Sequence, residues 1–216
     1  MIQDRRAFLL SIGGCALAAC VPAEMNVTEA PPEPEPTLAF AEIYAARPDG
    51  SRTIPALDVS GFHPALLRNQ VEYATDEPPG TIVIDTKGPF LYLVEGEGRA
   101  TRYGISIGRE GFGWTGTGRI ARTARWPTWT PPPEMIEREP YLEQWRGGMP
   151  GGLNNPMGAR ALYIHFGGGD SGYRIHGTNQ PKSIGWAASS GCFRMINQDV
   201  LDLYDRTPRG AKVIVI

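Results

Sequence analysis

Glycine and proline punctuate this chain so densely that long helices have little room. There are 27 glycines and 20 prolines among 216 residues, and both interrupt helix while favouring turns between short strands. What lies between them reads as strand. Thr81–Asp85 is β-branched and apolar, Gly88-Pro89 marks a turn, and Phe90–Val94 and Thr101–Ile107 follow, joined across Gly96–Gly98, as a meander. Gly118–Arg125, Leu162–Phe166, Tyr173–His176 and Lys212–Ile216 continue the pattern, with Gly167–Gly169 between the middle pair. Helix is confined to Glu134–Arg138, Tyr141–Trp145 and Gln198–Arg206. The last carries Val200, Leu203 and Tyr204 on one face, with Asn197 expected as its cap.

Chemistry concentrates between Ile175 and Met195. Cys192 follows Gly191 and precedes Arg194 by two, and His176 stands sixteen residues upstream with Gly177 after it. A thiol titrates near pH ~8.5, so at neutral pH it needs a base or a lowered pKa to act as a nucleophile. His176 is the natural base, since imidazole exchanges protons near neutrality. Gly191 permits a tight turn that brings main-chain N–H groups toward a reacting carbonyl, the makings of an oxyanion hole. Arg194 offers a forked cation suited to a carboxylate. The competing reading makes Cys192 a small buried hydrophobe.

His176, Gly177, Ser189, Gly191, Cys192 and Arg194 together resemble the signature of the L,D-transpeptidase (YkuD-type) catalytic domain: His-Gly, a spacer, then Ser/Thr-His-Gly-Cys, an apolar residue and Arg or Asn. Asn155-Pro156-Met157-Gly158 is similar to that family's Asn-Pro-apolar-Gly turn. The chain departs from the pattern at Ser190, where many members carry a second histidine. The resemblance runs from about Pro79 to the C-terminus. It implies a mainly β, sandwich- or barrel-like mixed sheet with a few short helices. It also implies a cysteine acyl-enzyme formed on tetrapeptide stems of peptidoglycan and resolved by an amine of another stem to give a cross-link. In that scheme the Gly177 carbonyl orients the imidazole, and the backbone of Gly191 and Cys192 holds the oxyanion. Arg194, Ser189, Ser190 and Trp129 line the substrate site. Resolution of the same acyl-enzyme by water would make an L,D-carboxypeptidase or an amidase. A wall-binding lipoprotein without catalysis is the other class, and an intact Cys-His pair argues against it.

The N-terminus reads as targeting. Arg5-Arg6 precede an apolar stretch through Ala19, too short for a comfortable membrane span. Leu17-Ala18-Ala19-Cys20 resembles a bacterial lipoprotein box, with an ordinary signal cleaved nearby as the alternative. The expected division is a signal over 1–20, a Pro/Glu-rich tether and N-terminal arm over 21–79, and the catalytic domain over 80–216. Periplasmic residence with a membrane lipid anchor at Cys20 follows. Of the three cysteines, Cys15 leaves with the signal and Cys20 lies at the cut, so Cys192 is the one thiol of the folded body. With no second body cysteine and no paired-histidine motif, no metal or other cofactor is expected. A net charge of −2 gives no sign of a nucleic-acid partner.

The remaining features are ambiguous. Gly108–Gly118 is glycine-rich but lacks the Lys-Ser/Thr ending of a phosphate cradle. Trp126 and Trp129 sit among prolines and either cover a core edge or flank a substrate groove. Residues 147–158 read as a loop, long enough for a lid. Residues 38–78 read as an arm packed on the domain, with His63 structural or at the surface. His165 is placed across the sheet from His176, more often a satisfied sheet residue than a partner. Lipidation is directly testable: Cys20→Ser should release soluble protein or leave the signal uncleaved. An unmodified N-terminus at another residue, found by intact mass of the native protein, contradicts it.

Overall fold

The computed structural model describes residues 38–108, 114–189 and 191–216. The targeting segment, Cys20, the tether over 21–37, part of the glycine-rich 108–118 stretch and Ser190 lie outside them. The N-terminal arm comprises helix α1 (Leu38–Ile43), the hairpin β1 (Arg47–Asp49) and β2 (Arg52–Ile54), and strand β3 (Asn69–Glu72). There follow β4 (Ile82–Asp85), β5 (Phe90–Gly96), β6 (Arg99–Gly108), β7 (Gly116–Arg125), helix α2 (Pro133–Arg138), β8 (Arg160–Phe166), β9 (Gly169–His176), β10 (Ala187–Ser189), β11 (Phe193–Met195), helix α3 (Asn197–Arg206) and β12 (Lys212–Val215).

The expected meander is present: β4, β5 and β6 pair antiparallel in succession. The long β6 then closes the sheet on itself. It pairs β5 along Arg99–Gly104 and β11 at Ile105 and Ser106, while the path from β11 returns through β9, β8, β7, β12 and β4 to β5. The result is barrel-like and mixed, with parallel pairs β9–β11, β4–β12 and β6–β10. Alternation along each strand gives it an inner, apolar face. Ile84, Leu91, Ile105, Leu162, Ile164, Ile175, Phe193 and Val213 fill it, and α3 inserts Val200 and Leu203 among them. The apolar face read for α3 is therefore its docking face, although Tyr204 is only partly buried.

The N-terminal arm is more than a covering. Its strand β3 pairs antiparallel with β6, from Asn69 opposite Arg102 to Glu72 opposite Arg99. Phe40, Tyr44 and Leu67 form a second apolar cluster with Ile184 and Ile196, on the segments flanking Cys192. His63 caps a short 3₁₀ turn, its Nδ1 accepting from Ala65 N at 3.3 Å. On the polar side of α3, Gln198 Nε2 donates to the carbonyls of Tyr44, Ala45 and Pro55 at 3.3, 3.4 and 2.9 Å. Tyr44 Oη donates to Asp199 Oδ2 at 3.0 Å and accepts from Arg68 N at 2.7 Å.

Burial is the main cause that pushes the Asp199 carboxyl up to about 7, with Arg68 opposing it. Because the folded-state value exceeds that of the unfolded chain, this group adds stability at low pH. That stability is lost as pH rises through about 7. Asp199→Asn should remove a pH-dependent component on the order of 2 kcal/mol between pH 5 and 8. Urea unfolding of both proteins at the two pH values checks this; parallel pH dependence would mean Asp199 is ionised throughout.

Candidate active site

Strands β9 and β11 run parallel with Ile175 opposite Phe193 and His176 opposite Arg194. Ile175 and Phe193 are core residues, so by the period of two their neighbours His176 and Arg194 face the other side of the sheet. Carried across the strands, that outer face shows ordered rows. One runs Ser106, Arg194, His176, Ala161, Ala124 over β6, β11, β9, β8 and β7. The next, one pleat away, runs Arg174, Tyr163, Arg122 over β9, β8 and β7. Cys192, two residues before Arg194, continues this second row beside Arg174. The backbone of Arg174 hydrogen-bonds the Cys192 sulfur, and Cys192 Sγ lies 3.9 Å from the Gly172 carbonyl. Cys192 and His176 are thus diagonal neighbours on one face, about 7–8 Å apart at the backbone, within reach of a thiol and an imidazole.

The loop that delivers Cys192 crosses the end of β6. Strand β10 pairs with one edge of β6, with Ser189 opposite Gly108, and β11 pairs with the other, with Arg194 opposite Ser106. Ser106 Oγ donates to the Trp186 carbonyl at 2.9 Å and fixes the entry to the crossing. Gly191 turns the chain with φ +116°, a conformation that disfavours any side chain. The side chain of Ser189 and all of Ser190 lie outside the described residues.

His176 is buried, and its Nδ1 lies 2.6 Å from the Gly177 carbonyl. A carbonyl only accepts, so Nδ1 carries the proton and Nε2 presents its lone pair. Burial pushes the imidazole down to about 4, reinforced by Arg194 and Arg174 and opposed by the Gly177 hydrogen bond. The Cys192 thiol is pushed up from its ordinary value, again chiefly by burial, against the pull of the Arg174 backbone and the cations of Arg174 and Arg194. Both shifts favour the uncharged forms, a neutral thiol and a neutral imidazole on the same face.

Asn197 holds this histidine segment. It is the first residue of α3, not its cap: Ile196 takes that place and makes no side-chain capping bond. Its Oδ1 accepts from Ala159 N at 2.9 Å and its Nδ2 donates to the Thr178 carbonyl at 2.8 Å. A Cβ on Gly177 would stand 2.2 Å from Asn197 Oδ1, so glycine after the histidine makes room for the clasp. Gly177 N donates in turn to the Arg160 carbonyl at 3.0 Å. The Arg160 guanidinium is locked in a buried two-point ion pair with Asp49 of the arm, at 2.7 and 2.9 Å.

His165 does not neighbour His176. β8 and β9 form an antiparallel hairpin, so His165, near its turn, lies opposite Asp170, while Ala161, at its far end, lies opposite His176. Asp170 and His176 are separated by about 20 Å of strand at ~3.3 Å per residue. The 147–158 loop is not a loose lid either. Asn155, fully buried, donates to the carbonyls of Pro127, Met149 and Pro150 and accepts from Met157 N. Trp129 bridges Met149 and packs with Met157, Ala161, Tyr163 and Ala124, beside the His176 row. Trp126 lies under Arg52 of the arm.

The family model described as YkuD, L,D-transpeptidase catalytic domain, matches residues 79–215, and the chain belongs to that family. It is 35% identical over 164 residues to the putative L,D-transpeptidase in the ATP synthase subunits region of Fuscovulum blasticum, covering 74% of this chain and 79% of that one. It is 33% identical over 139 residues to the probable L,D-transpeptidase YbiS of Escherichia coli, covering 62% of this chain. The match spans only 43% of that relative's length. A crystal structure from Brucella melitensis, described as a probable carnitine operon oxidoreductase, is 48% identical with TM-score 0.49, covering 74% of this chain and 99% of that one. The name describes that protein; the family of the present chain rests on the family match.

Asn197 and the Arg174–Tyr163 row escape a reading of motifs alone. The signal that points to Arg174 is the period of two counted back from His176. Nothing local points to Asn197. Because Asn197 Oδ1 is the atom a Cβ on Gly177 would meet most closely, ahead of Ala159 N at 3.0 Å and Gly158 Cα at 3.2 Å, Gly177→Ala and Asn197→Ala should be coupled. Each alone should cost about 1–3 kcal/mol, and the double variant should cost at least ~1 kcal/mol less than their sum. Urea unfolding of the cycle tests this; strict additivity would show that the clasp does not set the Gly177 requirement.

Proposed function

We propose that this chain is a peptidoglycan L,D-transpeptidase that works through a thioester on Cys192. The observation supporting this most is the placement of Cys192 and His176 on one sheet face, with the Gly177 carbonyl setting the tautomer that leaves Nε2 basic. In the first step the Cys192 sulfur attacks the carbonyl of the third residue of a tetrapeptide stem as His176 Nε2 takes the thiol proton. The C–N bond then breaks, and the proton passes to the departing D-alanine amine. In the second step the amine of another stem attacks the thioester, His176 removes its proton, and the thiol is restored.

The backbone N–H groups of Gly191 and Cys192 would hold the oxyanion, in keeping with the turn at Gly191. Arg194, opposite His176, would steady the site by disfavouring the imidazolium at rest. Ser189, Ser190 and Trp129 would border the groove. Because the resting pair is neutral, the base works during attack and not by storing a thiolate. Export and lipid anchoring through Cys20 would place this chemistry at the cell wall.

The full-length protein incubated with disaccharide-tetrapeptide and followed by mass spectrometry should give cross-linked dimer and free D-alanine. Cys192→Ala should abolish both. His176→Ala should slow acylation by ~10²- to 10⁴-fold, while His165→Ala should keep most of it. Tripeptide as the sole product would establish hydrolysis in place of transfer. Turnover by Cys192→Ala would refute the mechanism.

A further inference from the structure

The row that contains Cys192 continues away from the reacting thiol as a ladder of cations on one aromatic ring. Tyr163, 8% exposed, carries the Arg174 guanidinium 4.7 Å from its ring centroid and the Arg122 guanidinium 3.5 Å from it. Two like charges drawn to one ring repel, and each needs compensation. Arg174 has it: both of its terminal nitrogens meet the Asp170 carboxylate, at 2.8 and 2.9 Å. The Gly172 backbone and Arg174 hold that carboxyl below its usual range. Arg122 is exposed and makes no ion pair among the described residues. Its charge is left over, on the substrate face, in line with the nucleophile. A guanidinium held over a ring face leaves its N–H edge free for two-point bonding to a carboxylate.

We infer that Arg122, stacked on Tyr163 and backed by Arg174, is the specificity element for a free carboxylate on the acyl donor. This rests on the acyl-transfer reading of Cys192. Tyr163 stands two strands from Cys192, roughly 10 Å at ~4.8 Å per strand. A carbonyl held at Cys192 would therefore present a carboxylate to Arg122 if the attacked residue bears it at the end of a long side chain, as a diaminopimelate-like residue does. A donor with that carboxylate amidated would leave the Arg122 charge unmet and lose a charge-assisted hydrogen bond.

The test is binding without turnover. The full-length protein carrying Cys192→Ala is titrated calorimetrically with disaccharide-tetrapeptide bearing either the free or the amidated side-chain carboxylate. The free acid should bind ~10- to 100-fold more tightly. Adding Arg122→Gln should weaken the free acid about tenfold and bring the two ligands within about threefold of each other, with Arg122→Lys recovering only part of the preference. Arg122→Gln in the protein that retains Cys192 should leave iodoacetamide labelling of the thiol unchanged, which separates loss of the site from loss of the fold.

Equal binding of both ligands, or an equal loss of both in Arg122→Gln, would overturn the assignment. Turnover that ignores amidation and Arg122 would do the same while leaving the transpeptidase reading standing. A binding preference that depends on Arg122, in a protein that never turns the donor over, would support the carboxylate site and refute the transpeptidase reading.

Discussion

The site depends on the parallel pairing of β9 with β11. Side chains alternate across a sheet, so a slip of one residue would turn Cys192 and Arg194 into the core and Phe193 onto the outer face. Ile175 and Phe193, opposite each other and both buried, prevent that slip. The reactive residues stand where they do because their immediate neighbours are greasy. Hydrophobic burial on the inner face, at ~25 cal/mol per Å² of apolar surface, is thus the force that positions the polar chemistry on the outer one.

Directional contacts then refine what burial positions only coarsely. Asn197 ties Ala159 to Thr178, Gly177 bonds back to Arg160, and Arg160 is anchored by Asp49 of the N-terminal hairpin. The arm is accordingly part of the site's support. It also adds a strand to the sheet, although the family match begins only at residue 79. The same burial that immobilises His176 lowers its proton affinity, and burial raises that of Cys192. Both shifts keep this pair uncharged at rest, whatever the charges of Arg174 and Arg194 around it.

Much of this was legible from local sequence. The strands bounded by glycine, from Ile82–Asp85 through Arg160–Phe166 to Lys212–Val215, appear within a few residues of where composition puts them. His176, Cys192 and Gly191 stood out as candidates from the demands of thiol chemistry, and the register of β9 and β11 puts His176 and Cys192 on one face. Other features were hidden for physical reasons. Period-two alternation says nothing about position along a strand, and the antiparallel hairpin of β8 and β9 sets His165 near its turn, opposite Asp170, away from His176 at the other end. Asn197 sits where helices begin and resembles a cap, yet it spends its amide on two strand-end backbones distant in sequence. Strand β3 is short and mostly polar, with Val71 its one apolar residue, and only its pairing with β6 marks it as part of the sheet.

Register and burial together set a neutral imidazole that donates its Nδ1 proton to the Gly177 carbonyl and leaves the Nε2 lone pair free. The most direct measurement is ¹⁵N NMR of His176 in the full-length protein across pH 3 to 9. The account predicts the Nδ1–H tautomer throughout the neutral range, with protonation only as pH falls to about 4. An imidazolium at pH 7, or a neutral ring protonated at Nε2, would contradict it.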